Sequence, residues 1–133
     1  MSGSRVTYLD SSAIVKLVVA EPESSVLRRY LLRRKPHVTS ALAQTEVARA
    51  LLPLGPAAVR RGRDALRRLD LVRVNDRVLT AAGSLRPVEL RSLDAIHLAT
   101  AQLLGESLAR IVTYDDRLAA AAAAAGLAVA APR

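Results

Sequence analysis

Four carboxylates interrupt the most hydrophobic stretches of this 133-residue chain. Asp10 follows the run Val-Thr-Tyr-Leu, and Asp115 follows Ile-Val-Thr-Tyr. Glu46 and Asp94 lie inside apolar segments with helical periodicity. The other eight of the twelve acidic residues have polar or turn-like surroundings, where a carboxylate is ordinary. These four are therefore the candidates for chemistry.

Carboxylates that share a small site repel one another and take up protons unless a cation neutralises them. Oxygen ligands are hard and suit Mg²⁺ or Mn²⁺, whereas His37 and His97 without any cysteine cannot form a usual zinc set. The net charge of +8, with eighteen arginines, favours a polyanionic partner. An acidic metal site in a basic protein indicates phosphodiester hydrolysis. Neither a GxGxxG motif, a Walker loop, a GxSxG elbow nor an HExxH motif occurs.

Each acid also has an ordinary structural interpretation. Asp10 suits a helix N-cap, and Asp94 and Asp115 suit the first turn of a helix, where they complement the helix dipole. Glu46 lies beyond the first turn of its predicted helix, although an exposed pair with Arg49 is possible. From the pattern alone, a shared acidic site and four separate structural roles are about equally supported.

Strands alternating with helices must position these acids. The patterns predict strands at 6–9, 37–39, 71–74 and 110–113, with 127–129 as an edge strand, and helices at 11–19, 24–34, 41–52, 57–69, 76–85, 93–104 and 119–125. Ser40 and Ser92 are expected to be the N-caps of the helices at 41–52 and 93–104. In this order they predict a mostly parallel sheet with helices on both faces, in one domain spanning 1–133. If the first, second and fourth strands are neighbours, all four acids meet at the carboxyl edge of the sheet.

Composition narrows the function further. The chain has no Cys, Phe or Trp and only three Tyr, which argues against disulfides and against aromatic platforms that stack bases. Met1-Ser2-Gly3-Ser4 leads into a short apolar run with no signal-peptide pattern, and the first long apolar block is too short to span a membrane. We therefore expect a cytoplasmic protein with no membrane partner.

Four segments resemble those of PIN-domain ribonucleases, specifically VapC-type toxins of type II toxin–antitoxin systems. They are Tyr8-Leu9-Asp10-Ser11-Ser12-Ala13, Ser40-Ala41 with Thr45-Glu46-Val47-Ala48-Arg49-Ala50, Ser92-Leu93-Asp94-Ala95-Ile96-His97-Leu98-Ala99-Thr100-Ala101, and Val112-Thr113-Tyr114-Asp115-Asp116-Arg117-Leu118. The resemblance covers nearly the whole chain in the family's order and spacing.

The resemblance implies a three-layer α/β/α sandwich and a Mg²⁺-dependent endoribonuclease, with Mn²⁺ as a possible substitute. It also implies an RNA substrate, inhibition by a small cognate antitoxin and a homodimer. Asp10, Asp94 and Asp115 match the family's metal-coordinating residues, and Glu46 matches the acidic residue expected to orient water or hold a second ion.

Three further residues match supporting positions of the family. Ser12 and Thr113 are small hydroxyl residues that would support the site, and Asp116 is an acidic neighbour that also suits the first turn of the last helix. We expect His97 to be a partly buried structural histidine. The basic segments 28–34 and 60–68 are either an RNA track or solvated helix faces, whose apolar sides would suit an antitoxin groove or dimer seam.

Three rival functions remain open. A non-catalytic nucleic-acid-binding module would use the acids only as caps, but it leaves Glu46 unexplained. A receiver-type phosphoacceptor needs paired acids after the first strand and a late lysine, whereas here only Asp10 follows that strand and both lysines are early. A DNA-directed nuclease of the same superfamily is the third alternative, because the sequence has no base-recognition feature that would exclude it.

Overall fold

One parallel sheet organises the part of the chain that the computed structural model describes, residues 5–133. Its strands lie in the order β3-β2-β1-β4-β5, and every neighbouring pair is parallel. They are β1 (Val6–Leu9), β2 (His37–Ser40), β3 (Asp70–Val72), β4 (Leu108–Val112) and β5 (Val129–Ala130). The first, second and fourth strands are thus neighbours, as the convergence of the acids requires. The expectation about a signal peptide concerned residues 1–4, which lie outside the described residues.

Helices cover both faces of this sheet. They are α1 (Ser11–Val18), α2 (Ser24–Leu32), α3 (Ala43–Leu51), α4 (Pro56–Leu66), α5 (Asp76–Gly83), α6 (Ser92–Leu103) and α7 (Asp116–Ala124). The first four share one apolar core, whereas α6 and α7 form a second core and α5 packs against α6. The predicted three-layer α/β/α sandwich is confirmed.

Strand alternation explains how one short sheet serves two cores. Leu9 of β1 and Val112 of β4 belong to the core under α1–α4, whereas Tyr8 and Ile111, one residue earlier, belong to the opposite core. Successive side chains of a strand point to opposite faces, so a strand buried on both sides is apolar throughout. The residue that follows β1 and the loop that follows β4 then emerge at the carboxyl edge.

Two predicted helix starts are wrong. Ser40 does not cap α3, because it is still the last residue of β2, paired with Val72. Its Oγ instead accepts a hydrogen bond from the Leu42 backbone N–H at 3.1 Å. The helix therefore begins at Ala43, and Glu46 falls within its first turn.

The other wrong start concerns α6, since Ser92 is its first residue and Arg91 occupies the N-cap position without a side-chain cap. Within the described residues, no helix has the length and apolarity needed to cross a membrane.

Candidate active site

The ends of β1 and β4 bring the first predicted acid to the carboxyl edge. The Asp10 backbone N–H donates to the Val112 carbonyl at 3.2 Å, which continues the strand pairing by one residue. The side chain then turns back and accepts the Ala13 N–H at 3.0 Å, so Asp10 is the N-cap of α1. The capping role that the sequence allowed is thus present, at the edge where the site was expected.

Two hydroxyls hold the Asp10 carboxylate in place. The Ser12 Oγ–H donates to Oδ1 at 2.7 Å, and the Thr113 Oγ1–H donates to Oδ2 at 2.5 Å. Ser12 also accepts the Tyr114 backbone N–H at 3.0 Å, which ties α1 to the end of β4. Burial raises the pKa of Asp10, which is 4% exposed, although these hydrogen bonds act to lower it.

The second strand-end acid, Asp115, caps α7. Its Oδ1 accepts the backbone N–H groups of Arg117 and Leu118 at 2.9 and 3.0 Å, so it is the N-cap and not a first-turn residue. Its own N–H donates to Thr113 Oγ1 at 3.0 Å, and the same hydroxyl therefore contacts two of the predicted site acids. Asp116 is the exposed first residue of α7, which agrees with its alternative role as a first-turn acid.

Asp94 lies in the first turn of α6 and is electrostatically coupled to the other three acids. Burial raises its pKa most, and the charges of Asp115, Asp10 and Glu46 raise it further, against the lowering effect of His97. A cavity of about 330 Å³ opens beside it, lined by Arg91, Asp94, Asp115, Asp116 and Arg117. Three carboxylates that are distant from Asp94 in sequence are therefore close enough to disfavour its ionisation.

Glu46 is held by two hydrogen bonds to one oxygen and does not pair with Arg49 in the described structure. Its Oε1 accepts the Ser11 Oγ–H at 2.7 Å and lies 2.6 Å from His97 Nε2. Burial raises its pKa, but the hydrogen bonds from His97 and Ser11 more than offset that effect, and the pKa lies below its ordinary value. Glu46 thus stays ionised more easily than an ordinary glutamate.

His97 is more deeply buried than expected, at 2% exposure instead of partial burial. Its Nδ1 lies 2.6 Å from the Tyr8 hydroxyl, and its ring meets the Tyr8 ring edge-on. The sequence interpretation missed Ser11 and Tyr8 altogether. One signal was available, because a tyrosine inside a buried strand needs a polar partner for its hydroxyl.

The acidic set fits a hard divalent cation by its chemistry. In residues 5–133, no three histidine or acidic side chains stand close enough together to hold one ion with the side chains as they are. Mg²⁺ commonly takes only one or two protein carboxylates and completes its shell with water and substrate phosphate. Such an ion would favour the charged form of Asp94, whose pKa is raised by burial and by the neighbouring acids.

The basic segments predicted as an RNA track do not all face this edge. Arg28 and Arg68 line a groove of about 770 Å³ together with Leu32, His37 and Asp70. His37 and Asp70 are the first residues of β2 and β3, so the groove lies at the amino edge of the sheet. The arginines that line the acidic cavity are Arg91 and Arg117, which lie outside both predicted segments.

Fold and site together define a class of protein, a parallel α/β sandwich with an acidic cluster at the carboxyl edge of its central strands. The PIN-domain family profile matches residues 7–124. The protein named ribonuclease VapC46 of Mycobacterium tuberculosis is 64% identical over 125 residues, which cover 94% of this chain and 96% of that protein. The chain therefore belongs to the PIN-domain family and to its VapC group.

Solved structures agree with this fold. The M. tuberculosis toxin VapC20, described as cleaving the sarcin–ricin loop, matches with a TM-score of 0.76 and 18% identity over 95% of this chain and 99% of that one. A toxin–antitoxin complex from Klebsiella pneumoniae matches with a TM-score of 0.73 and 22% identity over 96% of this chain and 98% of that one. At these identities the likeness concerns the fold alone.

Proposed function

We propose that this protein is a toxin of a toxin–antitoxin system, an endoribonuclease that depends on Mg²⁺ or Mn²⁺. The observation that carries the proposal is that Asp94 and Asp115 line one cavity at the carboxyl edge, while Thr113 Oγ1 contacts both Asp115 and Asp10. The name of the 64% identical relative supports RNA as the substrate. Caps alone do not explain the set, because Glu46 is held by side chains from two other helices.

The acids divide into holders of the ion and an orienting group. Asp94, Asp10 and Asp115 would hold the cation, directly or through its water ligands. Glu46 Oε2, which makes no hydrogen bond within residues 5–133, is free to accept one from a water molecule. When bound, the ion activates water and stabilises the negative charge that develops on the phosphate and the leaving oxygen. Ser12 and Thr113 fix the carboxylate of Asp10, and Asp116 adds charge at the rim.

Arg91 and Arg117 would bind the RNA backbone beside the acids. Both are exposed and line the same cavity as Asp94 and Asp115. Guanidinium groups bind phosphate oxygens in pairs, and such contacts position a strand without reading its bases. They also offset the repulsion between an acidic site and a polyanion.

The groove at the amino edge would bind the antitoxin. Leu32, 66% exposed, lies in it beside Arg28, Lys35 and Arg68. An antitoxin helix with apolar residues along one side and acidic residues flanking them complements this surface. We further propose that residues 1–133 fold as one domain and that the protein is a homodimer, which light scattering of the purified protein would test.

The function is tested by Asp94→Asn, which keeps the size of the side chain and removes its charge. We expect wild-type protein to cut a mixed pool of structured and unstructured RNAs internally with Mg²⁺ or Mn²⁺ and not with chelator. Asp94→Asn should lower the cleavage rate by ~100-fold or more, since it removes a group that holds the ion. Gel analysis of end-labelled RNA measures both.

Asp76→Asn is the matched control, because Asp76 is also a first-turn acid but belongs to α5, which follows the edge strand β3. It should cleave at the wild-type rate. Wild-type RNA binding without metal-dependent cleavage would contradict the proposal and favour a binding module. Cleavage of DNA in place of RNA would agree with the proposed metal site but contradict the proposal that RNA is the substrate.

A further inference from the structure

A chain of hydrogen bonds crosses from one face of the sheet to the other at the carboxyl edge. It runs from the Tyr8 hydroxyl to His97 Nδ1 at 2.6 Å, and from His97 Nε2 to Glu46 Oε1 at 2.6 Å. Tyr8 lies in β1, His97 in α6 on one face, and Glu46 in α3 on the other face. Three elements are thus joined through one imidazole.

The direction of each hydrogen bond follows from what the groups can donate. An ionised carboxylate only accepts, so His97 Nε2 carries a proton and donates it to Glu46. With this single proton on Nε2, the ring accepts at Nδ1 from the Tyr8 hydroxyl. Tyr8 is fully buried, and burial raises its pKa far above the ordinary value, so its hydroxyl keeps the proton it donates.

We propose that His97 is a positioning residue for Glu46, with its ring orientation and tautomer fixed by Tyr8. This rests on the proposed function, in which Glu46 orients the attacking water. His97 and the Ser11 hydroxyl both hydrogen-bond to Glu46 Oε1. These two bonds prevent rotation of the carboxylate and leave Oε2 as the oxygen that can accept a further hydrogen bond.

The placement of His97 also links two parts of the site. It lies three residues after Asp94 on α6, so the helix that supplies Asp94 also supplies the group that holds Glu46. A core histidine with a purely structural role needs partners for its nitrogens, but it has no need to bind a partly exposed acid of the site. Partners that orient functional groups typically contribute 10–100-fold to activity or metal affinity.

The first test compares three variants with the wild type in cleavage of one RNA with Mg²⁺. His97→Leu should lower kcat by ~10–100-fold and leave KM within about twofold, because it removes the donor but no group that binds RNA. His97→Gln should recover much of the loss, since its amide nitrogen can donate to Glu46 from a similar position. Tyr8→Phe should lower kcat by a few-fold, about 3–10-fold, by releasing the tautomer.

A double-mutant cycle separates positioning from general damage to the fold. In a Glu46→Gln background, Tyr8→Phe should change kcat by less than about twofold, because Tyr8 acts only through Glu46. Thermal unfolding identifies any variant that fails to fold. If His97→Leu does not fold, Tyr8→Phe still tests the inference, because it keeps the buried aromatic ring and removes only the hydroxyl.

Nitrogen NMR of the imidazoles in the metal-free protein provides a readout independent of activity. It should show the Nε2–H form for His97, with an increased Nδ1–H population in Tyr8→Phe. His37→Gln assigns the signals and is the matched control, because His37 Nε2 also hydrogen-bonds, to the Leu31 carbonyl at 2.9 Å, but at the opposite edge. His37→Gln should leave the His97 signals unchanged.

The outcomes distinguish this inference from the function on which it rests. If Glu46→Gln is impaired while His97→Leu and Tyr8→Phe cleave normally, the positioning role is wrong and the nuclease stands. A folded His97→Gln that is no better than His97→Leu, or a His97 in the Nδ1–H form, also overturns it. If the wild type does not cleave, the proposed function fails and the positioning role in cleavage fails with it.

Discussion

Two of the acids at this site show that structural and chemical roles can share one side chain. Asp10 caps α1 and Asp115 caps α7, each through backbone N–H groups that the helix leaves free. Parallel strands followed directly by helices place such caps at the carboxyl edge, where ligands of open α/β sheets bind. Capping therefore helps to gather the acids that would hold a cation, and it is not evidence against a site.

At the residue scale, Asp94 should reduce stability in the metal-free protein. Its pKa is raised in the folded state, so the folded protein binds that proton more tightly than the unfolded chain does. The penalty is fully present above the folded pKa and is relieved as pH falls toward the ordinary aspartate value. Asp94→Asn should therefore unfold at a higher temperature than wild type at neutral pH without metal, and the difference should shrink on acidification.

Calorimetry across pH, with and without Mg²⁺, measures this effect. A ligand that binds only the folded state stabilises it by mass action, so Mg²⁺ should stabilise the wild type and have little effect on Asp94→Asn. Asp76→Asn, outside the coupled set, should respond to Mg²⁺ like the wild type. If Asp94→Asn is less stable than the wild type at neutral pH without metal, the prediction is wrong and the carboxylate stabilises the fold.

At the element scale, the close packing of α3 against α4 fixes the helix that carries Glu46. Gly62 of α4 is buried, and a Cβ built there would lie 2.5 Å from Leu51 Cδ1 and 3.2 Å from Val47 Cγ1 of α3. Both of those side chains are fully buried in the core under α1–α4. The absence of a side chain at residue 62 is thus what lets the two helices approach.

Gly62→Ala should lower the free energy of unfolding by about 1 kcal/mol. Overpacking a core costs roughly 1–3 kcal/mol, and the better helix propensity of alanine returns up to about 1 kcal/mol of that. Because α3 would have to shift, cleavage activity should fall as well. Urea unfolding and the RNA assay measure the two effects.

Gly83→Ala is the control, because Gly83 ends α5 and a Cβ there meets no atom within 4 Å. It should leave stability unchanged or raise it by up to about 1 kcal/mol. Equal destabilisation by the two substitutions would mean that the close approach of the helices at residue 62 is not the cause.

At the scale of the whole molecule, a protein of net charge +8 keeps a cluster of acids at one edge and a basic, partly apolar groove at the other. The two edges are separated by the length of the strands, about 10 Å for four residues. In the proposed function the carboxyl edge binds RNA and the amino edge binds antitoxin. Charge removal at the two edges should then have different effects.

We expect Arg91→Gln with Arg117→Gln to weaken RNA binding in chelator and to lower the slope of log affinity against log salt by roughly 1 for each phosphate that is no longer neutralised. The matched pair Arg28→Gln with Arg68→Gln removes the same charge from the amino edge. It should leave RNA binding less affected and weaken inhibition by the co-expressed cognate antitoxin. If the amino-edge pair instead weakens RNA binding and the carboxyl-edge pair weakens inhibition, the amino edge binds RNA and the carboxyl edge binds the antitoxin.

The sequence by itself determined the fold class and the candidate acids. Two-sided burial of parallel strands produces apolar runs, so a carboxylate that ends or interrupts such a run is visible in one dimension, as Asp10 and Asp115 were. The alternation of strands and helices was also visible, but several bounds were wrong, such as β3, predicted at 71–74 and found at Asp70–Val72. At Ser40, strand pairing with Val72 outweighed the local capping preference.

Only the tertiary structure decided which side chains contact these acids. His97 contacts Glu46 and Tyr8, which lie on two other elements. The arginines that line the acidic cavity are Arg91 and Arg117, and not those of the longer basic segments. Periodicity reports which face of an element is buried, but it does not report which side chain of another element meets that face. Hydrogen bonds between elements depend on strand order and helix packing, and those are set by the folded chain as a whole.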